Sequence, residues 1–178
     1  MAGLIDKPTH RIALGASALL IVSLATGAIA SDPATLRFHD MDGQAHDADA
    51  MLATGRPVVF VFWQTWCPSC KKEAPELAHA VERYGDRIAF FGVISGPDED
   101  VDDKDVRETA NDWGHLQPQI RDRDLALATR FDVTGTPLIV VLGTEARVLY
   151  RGYRLPDDWD AFLPAAPATP EGQVAQPQ

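Results

Sequence analysis

The chain has 178 residues, with 26 acidic side chains against 16 basic ones and a net charge of −10 at pH 7. Such a surface is repelled by nucleic-acid phosphates and carries no basic patch for a membrane face, so a solvated soluble exterior is expected and nucleic acid is excluded as a partner. At 46% hydrophobic residues it can build a proper core, and a domain of this size does not need disulfides to fold.

The first thirty residues read as an address label. Lys7, His10 and Arg11 make a short basic start, with Asp6 the one acid among them. The uncharged run from Ile12 to Ala30 follows, rich in Leu, Ile and Val, and closes on Ala28-Ile29-Ala30. That small-x-small ending is the pattern cut by signal peptidase. A secretory signal (residues 1–30) cleaved after Ala30 is one reading. The run also approaches the ~20 residues that span a bilayer, so an uncleaved N-terminal membrane anchor is the other. Gly, Ser and Thr dilute the run and favour the signal. Both readings export the rest of the chain and place it in the periplasm, free or held at the inner membrane. Residues 31–163 form one domain. Residues 164–178, "PAAPATPEGQVAQPQ", hold little to bury and read as a disordered tail.

Within the domain, "TLRFHDMDGQAH" alternates Leu36 and Phe38 with polar residues and carries an Asp42-Gly43 turn signal, which predicts a hairpin. "PVVFVFW", 57–63, is a near-continuous β-branched and aromatic run, the pattern of a strand buried on both faces. In "CKKEAPELAHAVERYGD", Ala74, Leu77, Ala78, Val81 and Tyr84 recur at helical spacing, with Gly85 as a stop and Pro75 as an internal kink. "RIAFFGVIS", 87–95, is a second buried strand. The acidic stretch 96–105 reads as a solvent-facing loop, its consecutive acids unlike a calcium loop, and it leads into a helix near 103–113. "QPQIRD" reads as a short strand and 123–131 as a helix. "PLIVVLG" and "RVLYRGY" read as strands joined by "GTEA", and "PDDWDAFLP" as a closing helix. Strands alternating with helices, followed by a late strand pair, indicate an α/β domain with a mixed central sheet.

The only cysteines, Cys67 and Cys70, stand in "FWQTWCPSC". A structural zinc would need two further ligands. No other cysteine exists, and His39, His46, His79 and His115 lack ligand spacing. A structural staple would close too short a loop to stabilise much. A redox pair has a physical mechanism. The cysteines fall where a buried strand gives way to a helix, and residues i and i+3 of a first turn share one face. The free N–H groups and dipole at a helix start favour a thiolate at Cys67, the species that attacks disulfides. Cys70, one turn deeper, would resolve the intermediate. Pro68 suits the first helical turn, where its missing N–H has no partner. Trp66 would shelter the site and offer partners an apolar surface, or else be ordinary core.

"FVFWQTWCPSCKKEAPEL" resembles the active-site segment of thioredoxin-fold proteins: a buried strand, W-C-x-x-C-K, then a helix with a proline five residues after the second cysteine, here Pro75. "VTGTPLIVVL" resembles the family's second signature, a loop ending in a cis-proline, here Pro137. The resemblance spans roughly residues 34–163. It implies a thioredoxin-like mixed central sheet flanked by helices. It also implies that Pro137 packs beside the cysteines and that Thr136 offers backbone groups to an extended substrate segment. The signal, the N-terminal hairpin, the C-K-K-E-x-P string and an inserted strand-helix segment make the chain similar to the exported TlpA/ResA/DsbE-like branch. Thioredoxin itself has a buried Asp six residues before the first cysteine; Val61 stands there. The ResA-like branch has a Glu three residues after the second cysteine; Glu73 fits, one turn from Cys70, as a proton acceptor or donor.

The resemblance thus implies an exported thiol–disulfide oxidoreductase with a Cys67/Cys70 dithiol, favoured as a reductase. Its partners would be disulfide- or dithiol-bearing proteins, in cytochrome c maturation or at copper-site thiols, with a membrane electron donor. No cofactor and no metal is expected. The alternatives are a disulfide oxidase or isomerase, and a Cu(I)-binding chaperone, since two thiolates suit Cu(I). The latter lacks support from nearby methionines: Met41 and Met51 are distant in sequence from the cysteines.

Overall fold

Seven strands and four α-helices make up the fold in a computed structural model that describes residues 35–164. These lie within one unit of the chain. The leader at 1–30 and the tail from residue 165 onward lie outside the described residues. Among the described residues, no helix is long and apolar enough to cross a membrane.

β1 (Arg37–His39) and β2 (Ala45–Asp47) form the expected antiparallel hairpin. Its loop is organised by Asp40, whose carboxylate accepts from the Asp42 and Gln44 amides at 2.9 Å each and lies 2.8 Å from His46 Nε2. Gly43 sits at φ +80° and so meets no side-chain penalty there. A short helix, α1 (Ala48–Ala53), follows, with Asp47 capping it through the Ala50 amide. Sequence periodicity does not predict it, because six residues are too few to display a helical repeat.

The main sheet has β3 (Val58–Phe62) at its centre, between β4 (Ala89–Ser95) and β6 (Leu138–Leu142), with β5 (Gln119–Asp122) and β7 (Val148–Gly152) at the edges. β3–β4 and β4–β5 are parallel; β3–β6 and β6–β7 are antiparallel. This mixed sheet with a hairpin and an inserted strand-helix segment is the expected architecture.

The unbroken apolar run of β3 has the predicted cause. Val58, Phe60 and Phe62 face a cluster with Leu36, Leu52 and Phe131, while Val59 and Val61 face α2 (Pro68–Tyr84) through Leu77, Ala80 and Tyr84. α2 remains one continuous helix through Pro75. Truncating a buried aromatic such as Phe60 to Ala costs about 3–5 kcal/mol by general experience of cores.

α3 (Asp103–Asp112) is capped by Asp102, whose carboxylate accepts from the Lys104 and Asp105 amides. The acidic loop before it is more than solvated charge. Buried Arg121 donates to the Ile94, Gly96 and Val101 carbonyls and to Asp103, and Arg123 holds Asp98 and Asp103.

Two helices are shorter than predicted. α4 covers only Ala126–Arg130, because Leu125 sits at φ 60° and Asp122 caps the Leu127 and Ala128 amides instead. The closing helix is a single 3₁₀ turn, Asp160–Phe162. Leu163 precedes Pro164, which drives it to extended backbone (φ −74°, ψ 143°) and stops the helix. Trp159 still packs edge-on to Phe90 at 5.1 Å.

Gly92 has a packing role. It pairs with Val61 across β3–β4, and Gln119 of β5 lies over it. A Cβ at Gly92 would meet Gln119 Oε1 at 2.1 Å, the atom that accepts the Trp63 indole N–H at 2.9 Å. Gly92→Ala is therefore expected to lose about 1–3 kcal/mol through a displaced, unpaired indole donor. Urea unfolding followed by tryptophan fluorescence measures this; unchanged stability would show that Gln119 relocates freely.

Candidate active site

The site grows from the end of β3. The Trp63 amide still donates to Val93 across the sheet, at 3.0 Å. The chain then turns, with Gln64 Nε2 donating to the Ser95 carbonyl and the Cys67 amide to Gln64. Pro68 opens α2 and is exposed. Cys67 is the N-cap, in extended backbone, and its Sγ accepts the Cys70 amide N–H at 3.2 Å. A sulfur that accepts a helix-start N–H is stabilised as a thiolate. The two cysteines are joined as a disulfide, with Cα atoms 5.3 Å apart, well within the bonding range. Each is 4% exposed, so depth does not tell them apart; position on the helix does.

Antiparallel pairing brings the second signature to the first. Leu138 of β6 pairs with Phe62 of β3, so the preceding residues lie against the Cys67 turn. The Thr136–Pro137 peptide is cis. Cys67 Sγ lies 3.5 Å from the Thr136 carbonyl oxygen, and Pro137 is buried.

Trp66 is not core. It is 74% exposed and forms one wall of an open groove of about 490 Å³ with Thr136, Gly135, Leu125 and Ala128. Glu73 is half-buried rather than free beside Lys71 and Lys72: its Oε2 accepts the Leu155 amide at 3.2 Å. It also lines a small, partly enclosed cavity with Cys70, Val61 and Pro137.

His115 lines that same cavity, a role its sequence context does not single out. It stacks on Trp63 with ring centroids 4.6 Å apart, and its Nδ1 lies 2.7 Å from Gln117 Nε2. Its Nε2 is buried without a hydrogen-bond partner. Burial lowers its pKa to about 4. Nothing local marks this histidine in the sequence; only sheet register carries residues 115–119 behind Trp63. Among the described residues, no group of three or more His, Cys, Asp or Glu side chains is placed to hold a metal ion.

A family model described as a thioredoxin-like domain matches residues 44–167. The thiol:disulfide interchange protein DsbE of Escherichia coli is 27% identical over 160 residues, covering 79% of this chain and 80% of that protein. The thiol-disulfide oxidoreductase ResA of Bacillus subtilis is 24% identical over 95 residues, covering 53% and 51%. The rice chloroplastic thioredoxin-like protein HCF164 is 29% identical over 107 residues, covering 51% and 41%. The chain thus spans about half the length of several curated relatives it matches. Among solved structures, a secreted Mycobacterium tuberculosis disulfide oxidoreductase described as homologous to Escherichia coli DsbE superposes with a TM-score of 0.57 at 21% identity. That match covers 71% of this chain and 88% of the other, and it is a likeness of fold.

Neutral His115 gives stability a pH dependence. Below 6.5, its ordinary value, the unfolded chain takes up a proton that the native ring refuses until about 4. Stability therefore falls as pH drops through that window and is level above it, with a loss of order 1–3 kcal/mol. Urea unfolding at pH 7 and pH 4.5 measures the drop. His115→Phe should make it shallower by that amount; an equal drop in both proteins would exclude the ring as its source.

Proposed function

The chain belongs to the thioredoxin-like domain family and carries the Cys-x-x-Cys pair of its thiol–disulfide oxidoreductases; from that premise we propose that it reduces disulfides in partner proteins outside the cytoplasm. The observation that carries this reading is the setting of Cys67. Its sulfur accepts a helix-start N–H and adjoins the carbonyl of Thr136, a residue that with exposed Trp66 lines an open groove next to the cysteine turn.

In this reading the Cys67 thiolate attacks one sulfur of the partner disulfide. A Cys67–partner bond forms and the other partner sulfur leaves as a thiolate, which takes a proton from water. Cys70, deprotonated, then attacks Cys67 Sγ. The Cys67–Cys70 bond forms, the mixed disulfide breaks, and the partner departs reduced by two electrons. Glu73 holds the proton that Cys70 gives up, since it lines the same cavity. Pro68 keeps the helix start free of a competing donor. Thr136 and Pro137 shape the edge against which an extended partner segment lies, and Trp66 covers that segment's apolar side.

Export rests on the leader at 1–30, with the domain at 31–163 and the tail beyond it. Reduction, in cytochrome c maturation or at copper-site thiols, with recharging by a membrane electron donor, rests on the resemblance to the TlpA/ResA/DsbE-like branch. Among thioredoxin-fold proteins potentials run from about −270 mV for thioredoxin to about −120 mV for the oxidant DsbA. A value near the first supports a reductase; a value near the second makes the chain an oxidase.

Cys67→Ser is expected to abolish insulin-disulfide reduction, and Cys70→Ser to accumulate a mixed disulfide that mass spectrometry of the native host identifies. Captured apocytochrome supports the maturation role. Sub-nanomolar Cu(I) binding without disulfide turnover would replace the oxidoreductase by a copper chaperone. Trp66→Ala should raise KM for a protein disulfide by roughly tenfold, about 1.4 kcal/mol, with small-disulfide turnover unchanged; an equal loss on both substrates would argue against a docking role.

A further inference from the structure

His115 has no part in the exchange steps above, yet it is placed to act on them. Its ring stands between two spaces. On one side is the small, partly enclosed cavity it shares with Cys70 and Glu73, about 10 Å³, close to the room of one water. On the other is an open groove between the hairpin loop and α3. The titratable groups around it are Cys70 and Glu73 across the cavity, and Asp40, Asp42 and Arg107 along the groove.

Three observations define the ring's chemistry. The Gln117 amide nitrogen lies 2.7 Å from Nδ1; with that nitrogen as donor, Nδ1 accepts and the ring proton is assigned to Nε2, while Gln117 Oε1 is likewise buried without a partner. Trp63 stacks on the ring and fixes its plane. Nε2 is buried and has no partner while the Cys67–Cys70 bond is closed. A buried donor left unpaired is costly, and the cost is explained if its acceptor exists only in the other redox state.

We infer that His115 is a positioning residue for the resolving step, its Nε2–H giving a hydrogen bond, directly or through one water, to the Cys70 sulfur when the Cys67–Cys70 disulfide is open. The inference rests on the disulfide-exchange reading above. The imidazole keeps its proton throughout. The Cys70 proton passes to the Glu73 carboxylate, the Cys70 electron pair forms the bond to Cys67, and the bonding pair of the mixed disulfide leaves on the partner's sulfur. His115 raises the thiolate fraction of Cys70 without taking its proton, from the region where Val61 offers no polar group.

The test uses the reduced full chain, with the Cys70 ¹³Cβ shift followed by NMR against pH, in the parent and in a Glu73→Gln background where the carboxyl no longer titrates. His115→Phe keeps the stack on Trp63 and loses the N–H. It should raise the Cys70 midpoint by about one pH unit, roughly tenfold less thiolate below the midpoint. His115→Gln, which keeps an N–H donor, should return at least half of that shift. In the parent, the His115 Nε2 ¹⁵N shift should report the proton on Nε2 and follow the Cys70 midpoint, a measurement that needs no variant to fold. An unmoved Cys70 midpoint in His115→Phe, a flat Nε2 shift, or a proton on Nδ1 would overturn the inference. Failure of the underlying reading is separate: it shows as absence of insulin-disulfide reduction by the parent itself.

Discussion

The central strand sets everything else in place. β3 is buried on both faces, so its backbone groups must be satisfied by β4 on one edge and β6 on the other. That double pairing leaves no freedom of register, since a slip of one residue would exchange the Phe60 and Val61 faces. The strand's end is therefore a rigid platform. Cys67 stands on it by local sequence, and Thr136 is brought to it by the register of β6. A contact of 3.5 Å between residues 69 apart in the chain follows from the five residue pairs of the β3–β6 ladder rather than from any affinity between them.

The platform has a polar side as well. Where Val61 pairs with Gly92, the missing side chain admits Gln119, which holds the Trp63 indole and donates to the Gln117 carbonyl. Gln117 in turn approaches His115, which stacks back on Trp63. The ring of contacts closes behind Cys70. Gln117, Gln119 and His115 of this ring come from the segment that leads into and along β5, and Trp63 from the end of β3. The same segment is clamped by Arg121 against three carbonyls and Asp103, so the histidine is carried on a fixed support.

Legibility in the sequence followed the range of the interaction. Strands and the long helix are legible because their patterns repeat over enough residues. α1 carries no readable signal and the closing helix shrinks to a 3₁₀ turn, because each is shorter than a full helical repeat, and the boundary at Leu163 depends on one proline. Trp66 is ambiguous in the sequence, since an aromatic beside a buried strand suits core and surface equally; its exposure is decided by the turn that places it on the groove. Glu73 sits on the Cys70 face as i,i+3 spacing requires, but its tie to Leu155, 82 residues away, was invisible.

By itself the sequence determined the local chemistry: two cysteines at a strand-to-helix junction, a proline opening the helix, a glutamate one turn on. These depend on neighbours three or four residues apart, whose geometry the helix dictates. Tertiary structure alone decided what faces the sulfurs from a distance. Thr136 and Pro137 on one side and His115 on the other arrive through sheet register and burial, and both arise only when the whole core has packed.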